Sequence, residues 1–239
     1  MTISAKIIAD SILKPDYDNS PVSRITTMIV TFPRFILAEF NTHRMFSRNS
    51  ASSRAIPFEK MLEVVQNNPF IPITWQKDHK GMQGTEYFTD HTIDENEYIW
   101  LVARDEAVFN AKCLHDQGVT KQLCNRLLEP FMWHTVLVTA TEFENFFELR
   151  CPKYHTPVSG EGFYFKSKKD CIANHSNPEN LEKLKNMSFE EWESINTSQA
   201  EIHMQALAEA MWDAICSSEP KKLNQGDWHL PMIEIEEDE

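Results

Sequence analysis

The chain has 239 residues, 41% of them hydrophobic, with 36 acidic against 23 basic side chains and a formal charge of -13. That length and apolar content suffice for a full core, and only six glycines and twelve prolines exclude a low-complexity or collagen-like chain. The acidic balance repels polyanions over most of the surface, which argues against nucleic acid as a partner but leaves local anion binding open.

Taken in chain order, the N-terminal "MTISAKIIADSILKPD" lacks the basic region, apolar run and cleavage site of a secretory signal. No run of eighteen apolar residues follows, so the expectation is a cytoplasmic protein with no membrane partner. "ITTMIVTF", residues 25–32, is rich in β-branched side chains and predicts a strand. Pro33 can open a helix through "RFILAEF". "HRMFSRNSASSR", residues 43–54, then reads as a loop just past that helix. Phe58, Met61, Leu62 and Val65 fall at i, i+3, i+4 and i+7, a short amphipathic helix starting near Pro57. "NNPFIPITW" breaks it, and residues 76–94 read as a loop near a site.

From residue 95 to 117 the helical period returns, with Ile99, Val102, Ala103 and Ala107 as its apolar face and Gly118 as its C-cap. A second helix runs from Thr120 to about Pro130. "MWHTVLVTA" is a buried strand or a helix start, and period alone does not choose between them. Phe143, Phe146 and Phe147 sit at helical spacing and predict core. Residues 151–197 are polar, with Pro152, Pro157, Gly160 and Gly162 clustered early, and read as an insertion in a single domain spanning 1–239. "SQAEIHMQALAEAMWDAI" is the clearest helix, with Met204, Leu207, Met211 and Ile215 on one side. "EIEEDE" at the end is a solvated acidic tail. The pattern as a whole predicts an α/β (α+β) fold.

The stretch from His43 to Arg54 holds three arginines, a histidine and four serines with no acid. Hydroxyls and guanidinium forks at that spacing are suited to phosphate oxygens, although a solvated Ser/Arg loop has the same composition. No G-x-S-x-G elbow, Walker loop or G-x-G-x-x-G is present, which removes the common serine-hydrolase and nucleotide-cradle readings. Five cysteines, an odd number, read as reduced thiols. Cys151-x3-His155 and Cys171-x3-His175 repeat one spacing that could hold a structural zinc, although it is not a standard finger and the expected metal content is none. His134 in "FMWHTVLV" reads as a satisfied core histidine, His203 as a helix-surface residue, and Trp133, Trp192, Trp212 and Trp228 as packing residues. No chemistry is assigned to "GDWHLP".

His43-Arg44, seven residues, then Ser52 resembles the "RHR, any seven, S" signature of the flavin-dependent thymidylate synthases, with Thr42 where the first arginine would stand. "VTATEFENFFELR", residues 138–150, is similar to that family's "VNARxLxxFLxLR", "SQAEIHMQALAEAM" to its "AQxEIRxxAxxM" helix, and Arg126 in "CNRLLEP" to an arginine before the first of these. With "GDWHLP", the chain looks like the bacteriophage branch, over roughly residues 25–215 apart from the insertion.

The resemblance implies a central sheet flanked by helices, a homotetramer with active sites shared between subunits, and FAD lying over dUMP. It implies C5 methylation of dUMP to dTMP with methylenetetrahydrofolate as carbon donor, and with NADPH reducing the flavin that supplies hydride. Arg150 and Ser52 would be the catalytic pair, Arg150 favouring the N3-deprotonated uracil. Ser52, Ser53, Arg54 and Arg126 would hold dUMP, with Glu39, Thr42 and Ser50 at its edge. His43, Arg44 and Asn145, with Thr139, Ala140 and Thr141 and again Thr42 and Ser50, would face the flavin. The family has glutamine at Glu39, an acid at Ser50, tyrosine at Ala55 and asparagine at Thr139. Those departures leave two alternatives: a pyrimidine hydroxymethylase acting on dUMP or dCMP, or a nucleotide-binding relative without flavin.

Overall fold

A computed structural model describes residues 1–13, 23–80, 84, 86–156, 163–175 and 177–233. The acidic tail and Pro157, Gly160 and Gly162 lie outside these residues.

Alternating and β-branched residues build the sheet. Strands β1 (Ser4–Leu13), β2 (Arg24–Pro33), β3 (Ser47–Ser50), β4 (Trp133–Ala140) and β5 (Lys221–Leu223) lie in the order β3-β4-β2-β1-β5. β2 pairs antiparallel with both β1 and β4, β3 antiparallel with β4, and β5 parallel with β1. The predicted strand at residues 25–32 is thus the centre of the sheet, and "MWHTVLVTA" resolves as a strand. β3 corrects the loop expected over residues 43–54, because Ser47 to Ser50 gain a ladder on Thr139 to Val136 that no local pattern announces. β1 and β5 likewise draw their pairing from distant segments.

Helices α1 (Leu37–Phe40), α2 (Phe58–Asn67), α3 (Thr92–Asp116), α4 (Lys121–Leu127), α5 (Glu144–Arg150) and α9 (Ile202–Cys216) flank the sheet. Between α5 and α9 come three short helices, α6 (Lys168–Ala173), α7 (Pro178–Lys185) and α8 (Phe189–Ser194). The Pro33 helix is cut short to a 3-10 turn, Arg34–Ile36, followed by α1.

One face of the sheet carries Met28, Val30, Phe32, Val136, Val138 and Ala140, which pack against Phe143, Phe146 and Phe147 and against Met204, Leu207 and Met211. Burying a side chain of this size contributes about 1.5–3 kcal/mol. A second core joins α2, α3 and α4 through Met61, Val65, Val108, Ala111 and Leu128. A third, small one joins Tyr154, Phe165, Cys171, Leu184 and Trp192 within residues 151–197.

Most of the apolar face predicted for α3 is corrected: Ile99 is 64% exposed, and Val102 and Ala103 are exposed, whereas Ala107 does pack on the second core beside Val108 and Ala111. The helix is apolar on two sides, and its period alone does not say which side meets α2 and α4. Gly118 follows the end of α3 at φ +84°, the conformation a helix-terminating glycine supplies at no steric cost. Among the described residues no helix is long and apolar enough to cross a membrane.

Candidate functional site

Arg150 ends α5, and its position follows from the phenylalanines that bury the other face of that helix. Its Nε donates to His43 Nε2 at 3.0 Å, and its Nη1 forms an ion pair with Glu39 Oε1. Because a guanidinium can only donate, His43 Nε2 must accept and the ring proton resides on Nδ1. His43 is buried against Phe46 and Phe146. Burial first, then the charges of Arg150 and Arg48, hold it down to a pKa of about 4, so it is a neutral acceptor at physiological pH. Glu39 offsets the charge of Arg150. The pair therefore presents a donor and an acceptor side by side.

A cavity of about 210 Å³ opens beside this cluster, lined by Thr42, His43, Arg44, Phe46, Asn145 and Arg150 among others. The Thr42 hydroxyl donates to the Glu39 carbonyl at 2.7 Å, which leaves it little to offer a ligand. On the other side of Arg150 a cavity of about 320 Å³ is walled by Lys153, Thr197 and Ser198. A flat ring with polar edges suits the first cavity: Phe46 and Phe146 give it an apolar wall, and Arg44 and Asn145 offer donors at the rim. Its volume falls well short of an FAD molecule, so FAD would need a second wall from outside it.

The phosphate-type donors stand apart. Ser52 and Arg54 are exposed, and Arg126 is exposed on α4; among the described residues neither arginine is ion-paired. Asn125, fully buried, holds the two segments together: its Nδ2 donates to the carbonyls of Ser53 at 2.9 Å and Ile56 at 3.2 Å. Sequence reasoning missed Asn125, whose only signal is its place next to Arg126. The Ser53 side chain turns away from Ser52 and Arg54 and is buried along a cavity with Arg34 and His134. Ser50 is exposed at the end of β3, Thr139 and Ala140 end β4, and Thr141 is exposed in the following turn. The cavity beside Arg150 includes neither Ser52, Arg54 nor Arg126, so it does not join the two halves of the expected site.

Other expectations are corrected. Cys151 lies in the main core and Cys171 in the small one, while the Nδ1 of His175 bonds the Cys171 carbonyl at 2.7 Å and His155 Nε2 bonds Thr197 at 3.0 Å. Among the described residues no three His, Cys, Asp or Glu side chains are grouped to hold a metal: Cys151 faces the main core, while His175 meets Cys171 through its carbonyl and not its thiol. Burial raises both thiols, that of Cys171 to about 11, which suits packing and not nucleophilic attack. His203 is buried, accepting from the Ile73 amide at 3.1 Å and packed between Phe35 and Phe70, and is not a surface residue. His134 is core but half-satisfied: Arg34 donates to its Nδ1 at 3.1 Å and its Nε2 has no partner among the described residues. Trp192 packs as expected, whereas Trp228 is 75% exposed.

No protein-family model and no curated protein sequence matches the chain. Among the solved structures similar to it are two of the UMP/dUMP methylase PolB from Streptomyces cacaoi. The form bound with 5-Br UMP aligns with a TM-score of 0.55 at 14% identity, over 90% of this chain and 89% of that one. The form bound with 5-Br dUMP aligns at 0.51, also at 14%, over 81% and 67%. At that identity the likeness is one of fold: a mixed α/β arrangement with a five-stranded sheet flanked by helices, the same fold as a nucleotide methylase.

Proposed function

We propose that the protein alkylates C5 of a pyrimidine nucleotide, converting dUMP to dTMP with methylenetetrahydrofolate, FAD and NADPH, as a homotetramer of the bacteriophage branch working in the host cytoplasm. In this reading residues 1–239 form one domain in which 151–197 is an insertion. The observation that carries it is the junction of Arg150 with His43 and Glu39, since these residues come from two of the segments that resemble the flavin-dependent thymidylate synthases. A fold shared with a UMP/dUMP methylase supports it.

Ser52, Arg54 and Arg126 bind the nucleotide phosphate, which gains charge-assisted hydrogen bonds from two guanidinium forks. Arg150 donates to the pyrimidine carbonyl edge, where a fixed donor stabilises charge that develops on the ring as C5 attacks carbon. Neutral His43 holds the guanidinium in plane without competing for its proton. FAD, when bound, would supply the hydride that completes the methyl group. The separation of the phosphate donors from Arg150 is met by joining halves from two subunits across a tetramer.

Glu39 favours a second reading. A carboxylate beside Arg150 accepts from an exocyclic amine as readily as from an imide, so dCMP, or a hydroxymethyl product, is the alternative. Incubation with FAD, NADPH, methylenetetrahydrofolate and either dUMP or dCMP, followed by the mass of the product, decides. dTMP from dUMP is expected. Reaction with dCMP alone, or a product heavier by one oxygen, establishes the second reading, and no turnover with nucleotide still bound establishes the flavin-free relative.

A further inference from the structure

The "GDWHLP" segment is built with more care than a chain end requires. Asn224 and Asp227 close a turn on each other: the Asn224 amide donates to Asp227 Oδ2 at 2.8 Å, and the Asp227 amide donates to the Asn224 carbonyl at 3.1 Å. Gly226 takes φ +95° to complete it. Two residues on, both ring nitrogens of His229 are engaged, Nδ1 with Ser11 Oγ at 2.9 Å and Nε2 with Thr27 Oγ1 at 2.8 Å. Thr27 in turn shares a hydrogen bond of 2.8 Å with Thr139 Oγ1. Hydroxyls donate or accept, so the imidazole keeps both bonds in either tautomer. Between the closed turn and the pinned histidine stands Trp228, 75% exposed and with no aromatic partner among the described residues. Two anchors hold the backbone of this side chain, yet it stays 75% exposed among the described residues.

The surface beside it is the sheet face opposite the core. Strand alternation and register put Thr27, Thr139 and Ser47 in one cross-strand row, Ile29, Leu137 and Asn49 in the next, and Thr31 with Thr135 beyond. Among the described residues none of the three buried cores reaches this face. It sets the hydroxyls of Thr139, Ser47, Thr31 and Thr135 around an apolar strip of Ile29 and Leu137, which suits a flat ligand with polar edges. An exposed indole with its backbone held at both ends loses little entropy on stacking.

We propose that Trp228 is a ligand-binding residue that stacks on a planar heteroaromatic ring lying over Thr139 and Ser47, and that His229 positions both Trp228 and, through buried Thr27, Thr139 for it. The inference rests on the proposed function, which offers two such rings, the flavin and the pyrimidine. The full-length protein, as wild type, Trp228→Ala and Trp228→Phe, is titrated separately with FAD and with dUMP, following ligand and tryptophan fluorescence, with sedimentation velocity on each variant.

Trp228→Ala is expected to weaken one of the two ligands by roughly 5- to 100-fold, the scale of a lost base–aromatic stack, with Phe restoring most of it. Weakened FAD identifies the flavin and weakened dUMP the pyrimidine. Wild-type affinity for both ligands in Trp228→Ala overturns the inference while the proposed function stands. So does a loss that accompanies dissociation into smaller species and reverses at higher protein concentration, which makes Trp228 a subunit contact. Wild-type protein that binds neither ligand defeats the proposed function itself, and this inference with it.

Discussion

Arg150 and its two partners concentrate the chemistry at the scale of single residues. Replacing Glu39 by Gln removes the carboxylate and frees the charge of Arg150, so the preference for dUMP over dCMP in kcat/KM is expected to rise about tenfold, equivalent to ~1.4 kcal/mol. An unchanged ratio would remove Glu39 from substrate choice. Histidine protonation sets a second prediction. His43 and His134 are both held down to about 4 against an ordinary 6.5, by burial first and then by Arg150 and Arg48 or by Arg34. The unfolded chain takes up these protons below pH 6.5 while the folded chain refuses them until about 4. Stability from these two groups is therefore complete above pH 6.5, falls as pH drops from 6.5 to about 4, and levels off below. Melting temperatures across that window test it, and His134→Gln is expected to flatten the fall by removing one of the two groups. An equally steep curve in the variant would sink the assignment.

At the scale of elements, the loop of residues 52–56 owes its place on α4 to one buried amide. Asn125→Ala removes two hydrogen bonds to loop carbonyls, each worth about 1 kcal/mol net, and leaves the buried Ser53 carbonyl without its donor. Thermal unfolding is expected to fall by roughly 2 kcal/mol and KM for dUMP to rise, with kcat less affected; an unchanged KM would separate this loop from nucleotide binding. Much of this level was legible beforehand. β2, α2, α4, α5 and α9 follow from β-branched runs, helical spacing and Pro or Gly punctuation, all of which are local. β3 was not, because Ser47 to Ser50 carry no strand pattern and are held by the edge of β4. The pinned His229 was equally hidden, since its partners Ser11 and Thr27 lie 218 and 202 residues away.

At the scale of the whole molecule, the outward face of α3 is the feature that a single chain leaves unexplained. Tyr98, Ile99, Val102 and Phe109 are exposed on it, with Leu123 and Leu127 exposed on α4 nearby. An apolar patch of that kind marks an interaction surface, and a homotetramer is the occupant the proposed function calls for. Val102→Asp is expected to shift the protein to smaller species in sedimentation velocity and to lower turnover steeply, since the two halves of the site would then part. A variant that sediments as wild type would place the subunit contact elsewhere.

Residue types and spacing alone determined that this chain has a foldable core, which strands and helices have strong local patterns, and that residues 43–54 have a composition suited to an anion. Those properties are local, and a reader of the chain needs only neighbours within a few positions to see them. Only the tertiary structure decided which side of α3 is buried, that the four zinc candidates do not gather into one cluster, that Glu39 offsets Arg150 while His43 stays neutral, and that Trp228 faces outward. Each of these depends on contacts between residues tens to hundreds of positions apart, where burial and charge are set by what the fold brings together and leave no trace in the order of the residues.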